Sequence, residues 1–285
     1  MNMNIPYKIG FFLIFGIFVA FFPQPALATG YPIAVVFIQG LGTSLELVVG
    51  EKTFDTIQTQ LLSQGFTKDQ FLEFSYNGGK INNSGQWRAR PYSCGDTGKA
   101  LATSTDTLID MINQYSARHP GTKIVLLGHS MGGLLGVRSL QGVADGRIGQ
   151  GLVSSVITLD SPLRGIPLQN KNLYEKFVGC APLVDSVVGT DIVSLYTNLQ
   201  ATDLFNATMA SQTGVLIHTL GNNQDCIYNT ALCRIPGKDW ISSQAIQTAD
   251  VKLYDLGNDV RQKDTGHERI LNNAQTVSDI VALIY

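Results

Sequence analysis

Apolar and polar positions divide the chain into short buried strands separated by amphipathic helices. Uninterrupted or nearly uninterrupted apolar runs are typical of strands that are buried on both faces of a parallel sheet. Strands are predicted at 33–38, 70–76, 124–127, 155–159, 215–220 and 251–254. Helices are predicted at 52–63, 99–118 and 277–284, and from Leu134 onward. This alternation predicts an α/β fold, with a trimmed, mostly parallel sheet of about six strands and helices on both faces.

One connection is longer than the others. Residues 166–211 follow the strand that runs into Asp160, whereas a simple connection needs only ~2–6 loop residues beside its helix. The segment mixes apolar residues such as Phe177 and Ile192 with glycine and proline. Two interpretations stay open: a cap or lid over a functional site, apolar on its inner face, and an ordinary crossover helix.

Composition and charge narrow the class of protein. A chain of 285 residues is long enough for one large α/β domain. The formal net charge is −2 and 15% of the residues are charged. The sequence has no basic stripe that would indicate nucleic-acid binding and no acidic run that would indicate disorder. We therefore expect a globular protein with no nucleic-acid partner.

The first residues have the features of a secretory signal peptide. Lys8 precedes an apolar run at 9–22, and the small-x-small pattern of a signal-peptidase site follows at 26–28. The run is shorter than the ~18 residues of a spanning helix, although an uncleaved anchor is the alternative. We predict a signal peptide over 1–28, cleavage near Ala28/Thr29, and a secreted or periplasmic domain over 29–285.

The cysteine content fits an exported chain. The four cysteines are Cys94, Cys180, Cys226 and Cys233, and four cysteines allow three disulfide pairings. The short separation of Cys226 and Cys233 suggests a local disulfide, which leaves Cys94 to pair with Cys180. A zinc site is the rival interpretation, but the sequence has neither a Cys-x-x-Cys pair nor an adjacent histidine.

The strand at 124–127 runs directly into the sequence GHSMGG at 128–133. Gly-x-Ser-x-Gly between a strand and a helix is the context of a nucleophile elbow. Gly128 and Gly132 provide clearance in the tight turn. Ser130 would then lie on a strained turn with its hydroxyl exposed, at the positive end of the following helix. The alternative is a glycine-rich turn that contains an incidental serine.

This motif resembles the elbow of the α/β-hydrolase lipases and esterases, which is commonly Gly-His-Ser-Met/Leu-Gly-Gly. The segment 160–165, with sequence DSPLRG, resembles the Thr-Pro-His-x-Gly segment of the same families, with Leu163 in the place of the histidine. The resemblance implies an α/β-hydrolase fold and serine-dependent acyl transfer. It requires no metal and no cofactor.

The loop at 39–44 follows the first strand and has two interpretations. Its glycines suggest a dinucleotide fingerprint, but Leu45 occupies the third glycine position. By resemblance to the lipases it is the oxyanion loop, with Gln39 in place of the usual histidine. The backbone N–H groups of Leu41 and Met131 would then face the developing oxyanion.

A serine nucleophile needs a base and an acid, which in this fold class follow it in the order acid, then histidine. Of the four histidines, only His267 lies beyond both the elbow and a candidate acid. Asp225, just past the strand at 215–220, is the predicted acid. Asp239 is the alternative acid, and Asp160 ranks behind both.

These features together predict a secreted serine hydrolase that cleaves carboxylic esters of small molecules or lipids, with transient contact to a lipid interface. The alternatives are a thioesterase or acyltransferase that uses the same three residues, and a non-catalytic binding protein of the same fold. The sequence predicts no particular oligomeric state.

Overall fold

A six-stranded sheet lies at the centre of the structure, a computed structural model that describes residues 32–45, 53–166, 187–225, 250–257 and 266–285. The chain divides into Met1–Gly30 and Tyr31–Tyr285, and the described residues belong to the second unit. The predicted signal peptide lies outside the described residues. Asp239 and three of the four cysteines, Cys180, Cys226 and Cys233, also lie outside the described residues.

The central sheet has the strand order β2-β1-β5-β6-β7-β8, and β3 and β4 form a separate antiparallel pair. The strands are β1 (Ile33–Ile38), β2 (Phe71–Glu73), β3 (Gly79–Ile81), β4 (Trp87–Ala89), β5 (Lys123–His129), β6 (Val153–Leu159), β7 (Leu216–Asn222) and β8 (Asp250–Tyr254). Every neighbouring pair in the central sheet is parallel. The carboxyl ends of β1, β5, β6 and β7 therefore meet at one edge, where open α/β sheets place their sites.

Helices cover both faces of this sheet. They are α1 (Asp55–Ser63), α2 (Leu101–Arg118), α3 (Met131–Ala144), α4 (Val187–Thr197), α5 (Leu199–Thr213), α6 (Arg269–Asn272) and α7 (Ala274–Ile284). One apolar core forms between the sheet and α2 to α5, and another between the sheet and α1, α6 and α7. Because side chains alternate along a strand, Val36 belongs to the first core and Phe37 to the second. This two-sided burial is the reason that the strands are almost continuously apolar.

The structure departs from the sequence-based expectations in the bounds of some elements and in the segment after β2. The strand predicted at 70–76 is shorter, and the segment after it, for which no strand was predicted, contains the β3–β4 pair, in which Ile81 lies opposite Trp87. Helix α1 begins at Asp55, three residues later than predicted. The described part of the long connection is helical, with α4 against α2 and α5 against α3. Residues 167–186 of this connection lie outside the described residues, so a cap over the site stays a prediction.

No helix among the described residues combines the length and apolar character required to cross a membrane.

Glu73 links the stability of this fold to pH. Its carboxylate accepts a hydrogen bond from Gln58 Nε2 on α1 at 2.6 Å. Burial, together with the nearby Asp55, raises the pKa of the Glu73 carboxyl from 4.5 to about 7. At pH values between 4.5 and 7, the Glu73 carboxyl is mostly ionised in the unfolded chain but mostly protonated in the folded chain. This group therefore favours folding at acidic pH, and its contribution is lost as the pH rises from 4.5 to 7.

Glu73→Gln should remove that dependence, because glutamine stays neutral at every pH. We expect the variant to become more stable relative to the parent as the pH rises from 4.5 to 7, by at most about 3 kcal/mol. Urea unfolding of both proteins at pH 5 and pH 8 measures this difference. An equal stability difference at the two pH values would contradict the assignment.

Candidate active site

The turn between β5 and α3 holds Ser130 in a strained conformation. Ser130 has φ 56° and ψ −130°, and among the described residues only Asp160 is another non-glycine residue with positive φ. Backbone strain of this kind costs on the order of 1–3 kcal/mol and persists only where the surroundings enforce it. Here the Ser130 N–H donates to the Leu159 carbonyl at 2.8 Å, which ties the turn to the end of β6.

Close packing around the turn explains its glycines. A Cβ atom on Gly128 would lie 2.3 Å from the Gly133 nitrogen, and one on Gly132 would lie 2.0 Å from the Ile38 carbonyl oxygen. A Cβ atom on Gly133 would lie 2.0 Å from the Ser161 hydroxyl. The turn is thus pressed against β1 on one side and against the segment after β6 on the other. This geometry confirms the clearance role that the sequence predicted for Gly128 and Gly132.

The structure brings Asp225 and His267 into direct contact. Asp225 lies three residues after β7, and His267 follows Gly266 just before α6. The His267 Nδ1 and Asp225 Oδ2 atoms are 2.5 Å apart, and both residues are buried. An Nδ1–H group that donates to this carboxylate fixes the tautomer of the imidazole and leaves Nε2 as the basic nitrogen. Of the candidate acids, Asp225 is therefore the one seen in contact with His267, and Asp239 lies outside the described residues.

Asp160 lies beside this pair, but its hydrogen bond is to the backbone of Asn222. It is 1% exposed, and its Oδ1 atom accepts a hydrogen bond from the Asn222 backbone N–H at 2.6 Å. Potential ligand atoms of Asp160, Asp225 and His267 lie within 4.8 Å of one another. A metal ion bound through His267 Nδ1 would displace the proton that this atom donates to Asp225 Oδ2. The donor set therefore fits an acid–base pair with a neighbouring structural carboxylate better than it fits a metal centre.

His129 connects the turn at Ser130 to His267. Its ring centroid lies 4.6 Å from that of His267, and its Nε2 atom lies 3.1 Å from the His267 carbonyl oxygen. Burial, and secondarily the neighbouring His267, lowers the pKa of the His129 imidazole to about 3. The ring is therefore neutral near pH 7, with its proton on Nε2, where it donates to the carbonyl. Since His129 directly precedes Ser130, this contact holds His267 beside the turn.

The predicted oxyanion loop is anchored by hydroxyl groups from distant parts of the chain. The Tyr76 hydroxyl donates to the Gln39 carbonyl at 2.7 Å, and the Thr97 hydroxyl accepts from the Gly42 N–H at 3.0 Å. Leu41 is buried between these two anchored residues. Sequence reasoning missed both hydroxyl groups, because neither residue belongs to a motif or lies near the loop in the chain.

The loop also lies directly against the turn. A Cβ atom on Gly40 would be 2.7 Å from the Ser130 Cβ atom and 3.0 Å from its hydroxyl oxygen. Met131 is the first residue of α3, where a backbone N–H has no partner inside the helix. Leu41 follows Gly40 in the chain, and Met131 follows Ser130. The two predicted oxyanion residues therefore lie next to this contact.

Comparisons with known proteins agree with this architecture. Residues 92–233 match the family described as the PGAP1-like alpha/beta domain. The lipase BlEst2 of Bacillus licheniformis in its mature form is similar in structure, with a TM-score of 0.59 and 14% identity over 92% of this chain and 95% of that chain. Its propeptide form gives a TM-score of 0.57 and 15% identity over 92% of this chain and 51% of that one. By sequence alone, no curated protein matches the chain.

The parallel sheet, the two helical layers and this structural likeness define the class of fold. The protein has an α/β-hydrolase fold of the kind found in lipases and esterases. This confirms the fold class predicted from the sequence.

Gly40→Ala should impair the reactivity of Ser130, because the added methyl group can be accommodated only if the loop or the serine moves. Displacements of about 1 Å in an active site can lower rates by about 100-fold. We expect a loss of that order in the rate of labelling by a fluorophosphonate, with the melting temperature measured in parallel. Gly149→Ala is the control, since a Cβ atom there meets nothing within 4 Å. Equal labelling of both folded variants would show that the contact at Gly40 does not matter.

Proposed function

We propose that this chain is an exported serine hydrolase that cleaves carboxylic esters through Ser130, His267 and Asp225. The observation that carries the proposal is the buried 2.5 Å contact between His267 Nδ1 and Asp225 Oδ2. The contact lies beside a strained serine at the carboxyl edge of the sheet. The likeness in fold to a lipase supports esters as the substrate class, either small-molecule or lipid.

The proposed reaction begins with attack by Ser130 Oγ on the ester carbonyl carbon, while His267 Nε2 accepts the hydroxyl proton. The bond to the alkoxy group then breaks, and the proton passes from His267 to the departing alcohol. Water attacks the acyl-enzyme by the same route and releases the acid. Asp225 keeps the imidazole oriented and stabilises its positive charge while it holds the extra proton.

Negative charge develops on the carbonyl oxygen during both steps. We assign its stabilisation to the N–H groups of Leu41 and Met131, one on the oxyanion loop and one at the amino end of α3. Preorganised donors of this kind are often the largest single contribution to catalysis, and the helix end adds a favourable dipole. Anchoring of the loop by Tyr76 and Thr97 supports this assignment, because donors act best when they are already in place.

Export is proposed from the predicted signal peptide and from the cysteines. Cys94 is not a free thiol, which is in keeping with an oxidising compartment. Its pairing with Cys180, and the pairing of Cys226 with Cys233, remain proposals because those three residues lie outside the described residues. A secreted or periplasmic location follows from the same proposal.

Ser130→Ala should abolish ester hydrolysis and fluorophosphonate labelling, because it removes the attacking oxygen while the turn is kept. A panel of p-nitrophenyl esters of increasing acyl length, the matching thioesters, and an added alcohol acceptor tests the substrate class with the parent protein. Labelling that persists in folded Ser130→Ala would refute the nucleophile. A strong preference for thioesters, or transfer to alcohol rather than water, would instead indicate the thioesterase or acyltransferase alternative.

Asp225→Asn should lower turnover by roughly 10⁴-fold, the scale observed when a triad aspartate becomes asparagine and the wrong tautomer results. Asp239→Asn is the matched variant and should keep most of the activity. Initial rates with a saturating ester, corrected for the folded fraction, distinguish the two. The reverse ranking would transfer the role of the acid to Asp239.

A further inference from the structure

Asn222, the last residue of β7, is fully buried and uses the whole hydrogen-bonding capacity of its side chain. Its Nδ2 atom donates to the Gly266 carbonyl at 3.0 Å and to the Gly257 carbonyl at 3.1 Å. Its Oδ1 atom accepts from the Gln224 N–H at 3.1 Å and from the Leu256 N–H at 3.2 Å. An asparagine amide has two donors and two acceptor sites, so a different side chain at this position would leave buried groups unpaired.

These contacts lie directly beside the acid and the base. Gly266 immediately precedes His267 in the chain, and Gln224 immediately precedes Asp225. One amide group therefore holds the backbone next to both partners of the 2.5 Å contact.

The backbone of Asn222 is itself fixed. Its N–H donates to the buried Asp160 carboxylate at 2.6 Å, and its carbonyl accepts from the Asp225 N–H at 3.1 Å. A buried hydrogen bond of this kind is costly to break, because the separated groups would have no water to bind instead. Asp160 thus holds Asn222 at the end of β7, and Asn222 in turn starts the tight turn that carries Asp225.

We propose that Asn222 is a positioning residue, which keeps Asp225 and His267 within hydrogen-bonding distance through the carbonyl of Gly266 and the amide of Gln224. The inference rests on the proposed function, since it matters for catalysis only if this pair serves Ser130. Asn222 does not touch the reacting atoms in this proposal. It acts through the placement of the two residues that do.

Asn222→Asp is the sharpest substitution, because it keeps the shape and both acceptor contacts but loses both donors. The carboxylate would face the carbonyl oxygens of Gly257 and Gly266, and the resulting repulsion should displace the chain before His267. Asn206→Asp is the matched control: Asn206 is also fully buried and donates to a backbone carbonyl, that of Leu163, at 3.1 Å. Asn222→Ser removes the same donors without adding charge, and it replaces Asn222→Asp if the latter fails to fold.

Two measurements on the full-length protein test the proposal. The first is the strongly deshielded proton NMR signal expected from His267 Nδ1–H, which Asp225→Asn should remove and thereby assign. The second is the separation of kcat from KM with one ester. In the Asn222 variants we expect the signal to move upfield or broaden. We also expect kcat per folded molecule to fall by about 100-fold, the cost of a displacement of about 1 Å, with little change in KM.

Asn206→Asp should lower stability but leave both the signal and kcat per folded molecule unchanged. An unaltered signal and kcat in a folded Asn222 variant would overturn the positioning role. The proposed function is tested by a separate result, obtained with the parent protein. If the parent cleaves no ester and takes up no fluorophosphonate, the proposed function fails. The NMR signal would still show whether Asn222 holds the Asp225–His267 contact.

Discussion

The close approach of the turn at Ser130 to the ends of β1 and β6 is the constraint on which the rest of the site depends. The carbonyl of Ile38 occupies the space that a side chain at Gly132 would need, and the Ser130 N–H is bound by the Leu159 carbonyl. These contacts enforce the positive φ of the serine and set its distance from the oxyanion loop. A small displacement of either strand would therefore change the position of Ser130 and of the groups around it.

Around this turn the protein has buried a set of polar groups that satisfy one another. Asp160 binds Asn222, Asn222 binds the chain beside Asp225 and His267, and His129 binds the carbonyl of His267. In a medium of low dielectric constant such contacts are strong, while a member left unpaired is costly. The network therefore stabilises one arrangement and penalises partial ones. This gives rigidity to His267, which lies outside any helix or strand.

Local sequence patterns were sufficient to predict the parts of the structure that depend on neighbouring residues. The apolar strands, the turn at Ser130 and the importance of Gly132 each follow from spacing within a few positions. Tyr76 and Asn222 were not predicted as anchors. Their side-chain contacts to Gln39 and Gly266 span 37 and 44 positions of the chain, and no short motif marks them. The β3–β4 pair was missed for a related reason. Its strands have three residues each, which is too short to show a clear alternation.

Under the proposed mechanism, the order of the site along the chain has a consequence for when the protein becomes active. The oxyanion loop, Ser130 and the helix that follows it all come before β6, whereas Asn222, Asp225 and His267 belong to or follow β7. A chain that has folded only as far as β6 would carry a nucleophile with no base, and a serine hydroxyl alone is a weak nucleophile. Under the proposed mechanism, hydrolysis begins only when the last strands have docked at the sheet edge. Under the same proposal, a partly synthesised chain would be catalytically silent with no need for an inhibitory segment.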